Sequence, residues 1–494
     1  MRVLTAPFTR QNENIPLVIE LAHPAREAVV TIGESISYRI VSPAECLELA
    51  VFAPARATQL TLALDGAAPI IVELPRATVP RDERSRLVAV FSRAPVEMAG
   101  LLGERLAPAT ALVHRNVADL PAHWDMLTAF DAVVFASSAG LSPQQSSALE
   151  GYLASGGIVA VFGSALFEGG RAAPFAALRH GVTTNASDGT TITRYGFGAG
   201  QVLHIPRDIA FASSPVTLAQ EGLTAGFTRG QAMGGDNFGP PLFLDQPVLR
   251  INGSDQFKAL AARQGSSQAL MLLVMCVGVA ALACVLSFAL PARRRFAIPL
   301  MTLTTASIVV AALAIVYSED TPVIHHQTLL AGADRELALT TSIIASDPRG
   351  TARTLALDAD TVVTPLDDSA NMRFDISGSQ RSVTLAAGSA IRVDKPLILT
   401  ASLPETELAT LHGGRASSPH FSGDVHYRDL PSALGAALPL DMAPILDDWL
   451  ERHVWGGSSW RLWLIDPSDR FVGVFPADNP ALTVSRILAF SPLD

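Results

Sequence analysis

Cysteine and lysine are scarce in this chain of 494 residues. Of its three cysteines, Cys276 and Cys284 lie within one long apolar run, which leaves Cys46 as the only thiol elsewhere. A disulfide within a domain outside that run is therefore excluded. Lys258 and Lys395 are the only lysines, and the net charge is −10. This balance argues against a nucleic-acid partner, which normally requires a basic stripe.

Acidic residues and lysines are also missing from the middle of the chain, where two apolar runs occur. Residues 269–290 and 297–317 are uncharged, and a short loop that contains the three arginines 293–295 joins them. A run of about 20 apolar residues is long enough to cross a hydrocarbon core of about 30 Å. The pattern predicts a transmembrane helical hairpin over residues 267–317, with the lipid bilayer as a partner.

The charge of the connecting loop predicts the orientation of this hairpin. Short basic loops stay in the cytoplasm, so the arginines at 293–295 would face inward. We therefore expect an inner-membrane protein whose flanking regions lie on the periplasmic side. Such an N-terminal region needs an export signal, and residues 1–20 contain no apolar core of that kind. Either the signal lies upstream or the topology is inverted, and the loop charge favours the first.

The region before residue 80 has the alternation of half-buried strands. Ile36, Tyr38 and Ile40 alternate with polar residues, and an Asp-Gly pair at 65–66 marks a turn. Period-two alternation with such turns indicates antiparallel hairpins with one buried face. We predict a β-sandwich over residues 1–80.

Continuous apolar runs replace this alternation in the next region. Residues 87–91, 132–135 and 158–162 have the pattern of strands that are covered on both faces. Ser142, followed by proline and then by glutamine three residues after the cap, predicts the start of a helix. Alternating strands and helices of these lengths imply a doubly wound parallel sheet. We assign residues 81–215 to this α/β domain.

The remaining chain is divided by composition. Residues 216–266 are rich in glycine, proline and polar residues and predict an irregular connector. Residues 318–494 again show strand patterns, with one amphipathic helix over residues 443–453. The predicted fold class is thus multi-domain: a β-sandwich, a flavodoxin-like or amidotransferase-like α/β domain, the transmembrane hairpin and a mainly-β domain.

The segments 131–140, 142–157 and 158–165 resemble the class I glutamine amidotransferase-like fold. In that family a strand runs into a nucleophile elbow with the pattern glycine, any residue, cysteine, any residue, glycine. Here Ser164 replaces the cysteine, while Phe162 and Leu166 replace the glycines. His204 is a counterpart of the family's histidine, but Pro206 stands where its glutamate is expected. The resemblance implies a degenerate domain without the catalytic set.

Two functional hypotheses follow from this resemblance. The first is a non-enzymatic, membrane-anchored envelope protein, in which the α/β domain serves for binding or assembly. Proteins of this kind resemble bacterial membrane proteins that accompany von Willebrand A-type and MoxR-type ATPase partners, so membrane protein partners are expected. The alternative is a hydrolase or amidotransferase that uses Ser164 and His204 as a nucleophile and base. Nothing in the sequence supplies the third, orienting group of such a triad.

A ligand site is predicted at the end of the strand over residues 132–135. Ser137, Ser138 and Gly140 follow that strand, and ligands of doubly wound sheets bind at the carboxyl ends of strands. The structural alternative is that these small residues only build a tight turn. A closed polar pocket beside Ser137 and Ser138 would instead indicate a ligand sensor.

Metal and cofactor sites are not predicted. His420, Asp424 and His426 share one short segment, but they lack the ligand spacing of a known metal site. The glycines at 196, 198 and 200 lack the following helix that a phosphate loop requires, which leaves a hairpin turn as the interpretation.

Overall fold

The computed structural model describes residues 2–227 with short gaps and residues 323–492 with further gaps. Within these ranges most of the structured chain is sheet, arranged as four sheets with five α-helices. The helices are α1 (Pro95–Leu102), α2 (Pro143–Ala154), α3 (Ala165–Glu168), α4 (Pro215–Phe227) and α5 (Leu430–Leu434).

A seven-stranded sheet combines strands from both ends of the chain. In spatial order its strands are β18 (Arg353–Leu357), β21 (Gln380–Leu385), β20 (Met372–Ser377), β4 (Ile36–Val41), β3 (Glu27–Ile32), β6 (Gln59–Leu64) and β7 (Ile70–Glu73). The strands from the two ends of the chain meet where β4 pairs in parallel with β20, and Tyr38 lies opposite Phe374 there. The two rings stack with centroids 4.6 Å apart.

A three-stranded sheet packs against the inner face of the seven-stranded sheet. It consists of β1 (Arg2–Thr5), β2 (Glu13–Glu20) and β5 (Cys46–Ala53) in that order. Leu17 and Val51 from this sheet belong to one buried cluster with Val30 and Leu355 of the seven-stranded sheet. Alternation of buried and partly exposed residues along β3 and β4 places one face of each strand in this core.

The third sheet has nine strands and comes from the C-terminal half. In spatial order they are β19 (Val362–Pro365), β22 (Ala390–Ile398), β17 (Leu337–Ala345), β16 (Val323–Ala331), β27 (Leu482–Pro492), β26 (Ser459–Ile465), β23 (Thr406–His412), β24 (Arg415–Ser417) and β25 (Val425–His426). Ile391 and Val393 of β22 reach the same buried cluster as the two sheets above. We call these three sheets together the β body.

The fourth sheet forms the α/β domain. In spatial order its strands are β13 (Gly181–Asn185), β14 (Thr191–Phe197), β15 (Gly200–Ile205), β12 (Ile158–Phe162), β11 (Ala132–Phe135), β8 (Arg86–Ser92), β10 (Thr110–Asn116) and β9 (Arg105–Ala107). The five strands from β15 to β10 are parallel. Numbered along the chain, their order is 2-1-3-4-5, the flavodoxin-like order.

Helices cover both faces of this sheet. Met98 and Leu102 of α1 and Leu218 of α4 pack on one face, while Leu149 and Leu153 of α2 pack on the other. The predicted start of α2 is confirmed: the Ser142 side chain accepts a bond from the Gln145 backbone N–H, and the Gln145 side chain bonds the Ser142 N–H in return. α1 ends at Leu102, where Gly103 adopts a φ of 75°.

The predicted fold class is wrong in two respects. The predicted N-terminal sandwich and C-terminal domain are not separate folds, because β4 and β20 pair within one sheet. Alternation along a strand indicates which face is buried but does not identify its partner strand, so the sequence did not show this pairing. The predicted domain boundaries at residues 80, 215, 266 and 317 stay predictions.

The second correction concerns the membrane anchor. Helices in the described ranges are short, and none has the length and apolar character needed to cross a membrane. The predicted hairpin at 267–317 lies outside the described residues. The fold class is therefore corrected to a mainly-β protein with one α/β domain, and the inner-membrane location is not retained. The helix predicted at 443–453 lies largely outside the described residues as well.

Candidate functional site

The carboxyl edge of the parallel sheet contains a switch in strand order between β8 and β11. The chain leaves β8 through α1 toward β10 on one side, whereas α2 leaves β11 toward β12 on the other side. Because α1 and α2 cover opposite faces, the ends of β8 and β11 are the place where a doubly wound sheet forms its crevice. Open α/β sheets bind ligands at such a point. We call this place the switch crevice.

Ser92 is the polar residue that ends β8 at the switch crevice. Its side chain continues the row of Val88 and Val90, which faces α1, and the residue is 1% exposed. The Ser92 hydroxyl has no hydrogen-bond partner among the described residues. The N-terminus of α1, beginning at Pro95, also has no side-chain cap. Buried polar groups are normally bonded, so this hydroxyl and the adjacent helix end form an unused polar position.

The predicted ligand residues follow β11 in the sequence. Ser137 and Ser138 lie outside the described residues, and Gly140 is exposed after β11. Gly140 has open space where a Cβ would be. Their ligand role stays a prediction. Sequence reasoning missed Ser92, although a polar residue directly after a buried apolar strand was a usable signal.

The turn after β12 determines what Ser164 can do. Gly163 has a φ of 84° and its N–H donates a 2.8 Å hydrogen bond to the Ile205 carbonyl. Gly163 therefore occupies the left-handed position of this strand-to-helix turn, and it has no side chain. Ser164 follows it, and the Ser164 carbonyl accepts a bond of 2.9 Å from the Phe167 N–H. The residue in the strained position is a glycine, so the turn presents no nucleophile there.

His204 is located on β15, opposite Val161 of β12. Its ring stacks on the Phe167 ring with centroids 3.9 Å apart and planes 23° apart. The structure thus brings His204 against an aromatic ring of α3.

A second polar site joins the α/β domain to the β body. Asp125 is 9% exposed, and its Oδ2 lies 3.5 Å from Nη1 of Arg381 on β21. The same Arg381 nitrogen donates a 3.3 Å bond to the Thr361 carbonyl. The indole N–H of Trp124 donates a bond of 2.8 Å to the Asp360 carbonyl. Segment 121–127 therefore contacts the β body through several directional bonds.

A small cavity lies at this junction. It measures about 40 Å³ and is lined by Asn14, Tyr38, Asp125, Thr361 and Arg381 among others. A water needs about 10–15 Å³ by this measure, so the cavity has room for a few waters. Ligand pockets are usually several hundred Å³, so this one is too small for an organic ligand of drug size.

Tyr38 is a buried polar group beside this cavity, and its hydroxyl accepts a 2.9 Å bond from the Phe52 N–H. Burial raises the pKa of the Tyr38 phenol, the Phe52 bond lowers it in part, and the charge of Asp125 raises it further. Tyr38 is therefore neutral and serves to fix β5 against β4. The described residues contain no group of three or more His, Cys, Asp or Glu side chains placed to hold a metal ion.

No model of a known protein family matches the chain, and no curated protein matches it. The family resemblance noted in the sequence therefore stays a prediction.

Proposed function

We propose that this protein is a non-enzymatic binding and assembly protein whose α/β domain supplies the binding surface. The observation that carries the proposal is the turn after β12. Gly163 occupies the position at which a nucleophile elbow presents its reactive side chain, and a glycine offers none. His204 is stacked on the Phe167 ring. A histidine base in a triad activates a serine hydroxyl at the reactive position, and here that position holds a glycine.

The switch crevice is the binding site in this proposal. Its support is the buried Ser92 hydroxyl, which has no partner in the described part of the chain, next to the uncapped start of α1. A ligand that presents an oxygen or nitrogen could bond to this hydroxyl and to the free N–H groups of the helix. The contacts of Trp124 and Asp125 with the β body fix the orientation of the domain.

The test of this proposal is a turnover assay with matched variants. Wild-type protein, Ser164→Ala and the control Ser146→Ala are assayed for ester hydrolysis and for release of ammonia from glutamine. We expect the three proteins to give the same background rate. Turnover that Ser164→Ala abolishes and Ser146→Ala preserves would show that the protein is an enzyme.

A further inference from the structure

One end of the nine-stranded sheet carries a row of basic side chains. His412 of β23 lies opposite Arg415 of β24, and Arg415 lies opposite His426 of β25. Residues directly opposite each other have Cβ atoms about 4.5–5.5 Å apart, so three neighbouring side chains form one short row. All three residues are exposed.

The neighbouring row shows that these side chains face solvent. Leu411 lies opposite Ala416, and Ala416 lies opposite Val425. Leu411 and Ala416 are both fully buried. Because side chains alternate between the two faces of a sheet, the basic row belongs to the outer face.

A second arginine extends the outer face by one strand. Arg461 of β26 lies opposite Thr410 of β23, and Thr410 lies opposite Ser417 of β24. Arg461 is half-buried, and its Nε atom is buried without a hydrogen-bond partner among the described residues. Its guanidinium adds a second positive charge to the outer face. We call His412, Arg415, His426 and Arg461 together the basic face.

The acids near the basic face do not neutralise its arginines. Glu407 accepts a 2.7 Å bond from the Thr410 hydroxyl, and Asp424 and Asp429 flank β25 in sequence. In the part of the chain that the structure describes, no ion pair involves Arg415 or Arg461. Next to His426, the guanidinium of Arg428 lies 5.7 Å from the centroid of the Tyr427 ring.

We propose that the basic face binds the phosphoryl group of a soluble phosphate monoester. Arg415 is exposed and has no ion pair among the described residues, so its guanidinium charge is available to an anion. The planar fork of Arg415 matches two phosphoryl oxygens, and the Nε2 atom of His426, whose Nδ1 accepts the Arg428 N–H, is a further polar group beside it. The whole chain carries a net charge of −10. Attraction of a phosphate group must therefore come from the basic face itself.

The test uses phenyl phosphate as the probe and the full chain at low ionic strength, where charge pairing is least screened. Binding is measured by saturation-transfer NMR on the phenyl protons. Arg415→Ala is expected to weaken binding about tenfold or more, as for loss of a charge-assisted hydrogen bond. Arg415→Lys should weaken binding less, because it keeps the charge and loses the fork. The control Arg26→Ala removes an exposed arginine that directly precedes β3, away from the nine-stranded sheet, and should bind like wild type.

Three outcomes would overturn the inference. The first is that phenyl phosphate does not bind the wild-type protein. The second is that it binds wild type and Arg415→Ala equally. Binding to vesicles of phosphatidylserine and phosphatidylcholine without binding of phenyl phosphate would show that the ligand is a lipid surface instead. The basic face and the switch crevice belong to different sheets, so either result leaves the proposed function to its own test.

Discussion

The indole N–H of Trp124 donates a 2.8 Å hydrogen bond to the backbone carbonyl of Asp360, a residue 236 positions away in the chain. Trp124 also packs against α2, where a Cβ added to Gly151 would lie 2.7 Å from the Trp124 ring. A glycine at 151 is therefore required for the tryptophan to approach the helix, and this approach positions the α/β domain on the β body.

Gly151→Ala tests this close approach. A methyl group at this position forces the Trp124 ring to move, so we expect the free energy of unfolding to fall by about 1–3 kcal/mol. Gly100→Ala is the matched control, because Gly100 also lies inside a helix but has open space at its Cβ position. It should raise stability by about 0.5–1 kcal/mol. Urea unfolding of both variants measures the difference, and equal effects would contradict the contact.

The ion pair of Asp125 and Arg381 should couple the α/β domain to the β body. A double-mutant cycle with Asp125→Ala and Arg381→Ala is expected to give a coupling energy of about 1–2 kcal/mol, since both side chains are mostly buried. The exposed pair Arg373 and Asp375, at 3.3 Å, is the control and should couple by less than about 1 kcal/mol. A coupling no larger than that of the control would show that the buried pair does not hold the junction.

Ser92→Ala should stabilise the protein. The variant removes a buried hydroxyl that has no hydrogen-bond partner in the described structure, so we expect a gain of about 1 kcal/mol in the free energy of unfolding. Ser142→Ala is the contrasting control, since it removes the side-chain cap of α2 and should cost about 1 kcal/mol. Thermal unfolding measures both, and a loss of stability in Ser92→Ala would mean that the hydroxyl is bonded in the free protein. A gain in stability in Ser92→Ala would fit a serine that is retained for ligand binding at a cost in stability.

Glu150 of α2 should make stability depend on pH. Burial raises the pKa of this carboxyl above its ordinary value of 4.5. The charged carboxylate therefore opposes folding at neutral pH, and the cost disappears as the pH falls through the folded pKa and then below 4.5. Glu150→Gln should stabilise the protein by about 0.5 kcal/mol at pH 7, after allowance for solvent screening, and by nothing near pH 4. Glu97→Gln controls for the loss of one charge, and a pH-independent gain would contradict the assignment.

Local features of the fold could be predicted from the sequence, whereas long-range pairing could not. The capping box of Ser142 and Gln145 is present because its chemistry lies within four residues. The parallel pairing of Ile36 with Met372 joins strands that are far apart in sequence, and alternation does not encode a partner. Apolar composition suggested a membrane anchor, and no described helix supplies one.

The candidate site shows the same division. Ser164 and His204 were singled out by the family resemblance, but the resemblance did not show that Gly163 takes the left-handed position or that Phe167 stacks on His204. The basic face was missed because His412, Arg415 and His426 come together only through strand register.

Covalent labelling of Ser164 tests the central claim most directly. The full chain is incubated with a fluorophosphonate, a reagent that phosphonylates activated serine hydroxyls, and the product is analysed by intact-protein mass and peptide mapping. The account predicts no adduct at Ser164 above the level found at Ser146, because the strained position belongs to Gly163 and His204 is stacked on Phe167. Stoichiometric labelling of Ser164 that His204→Ala abolishes would contradict it and would establish a catalytic pair.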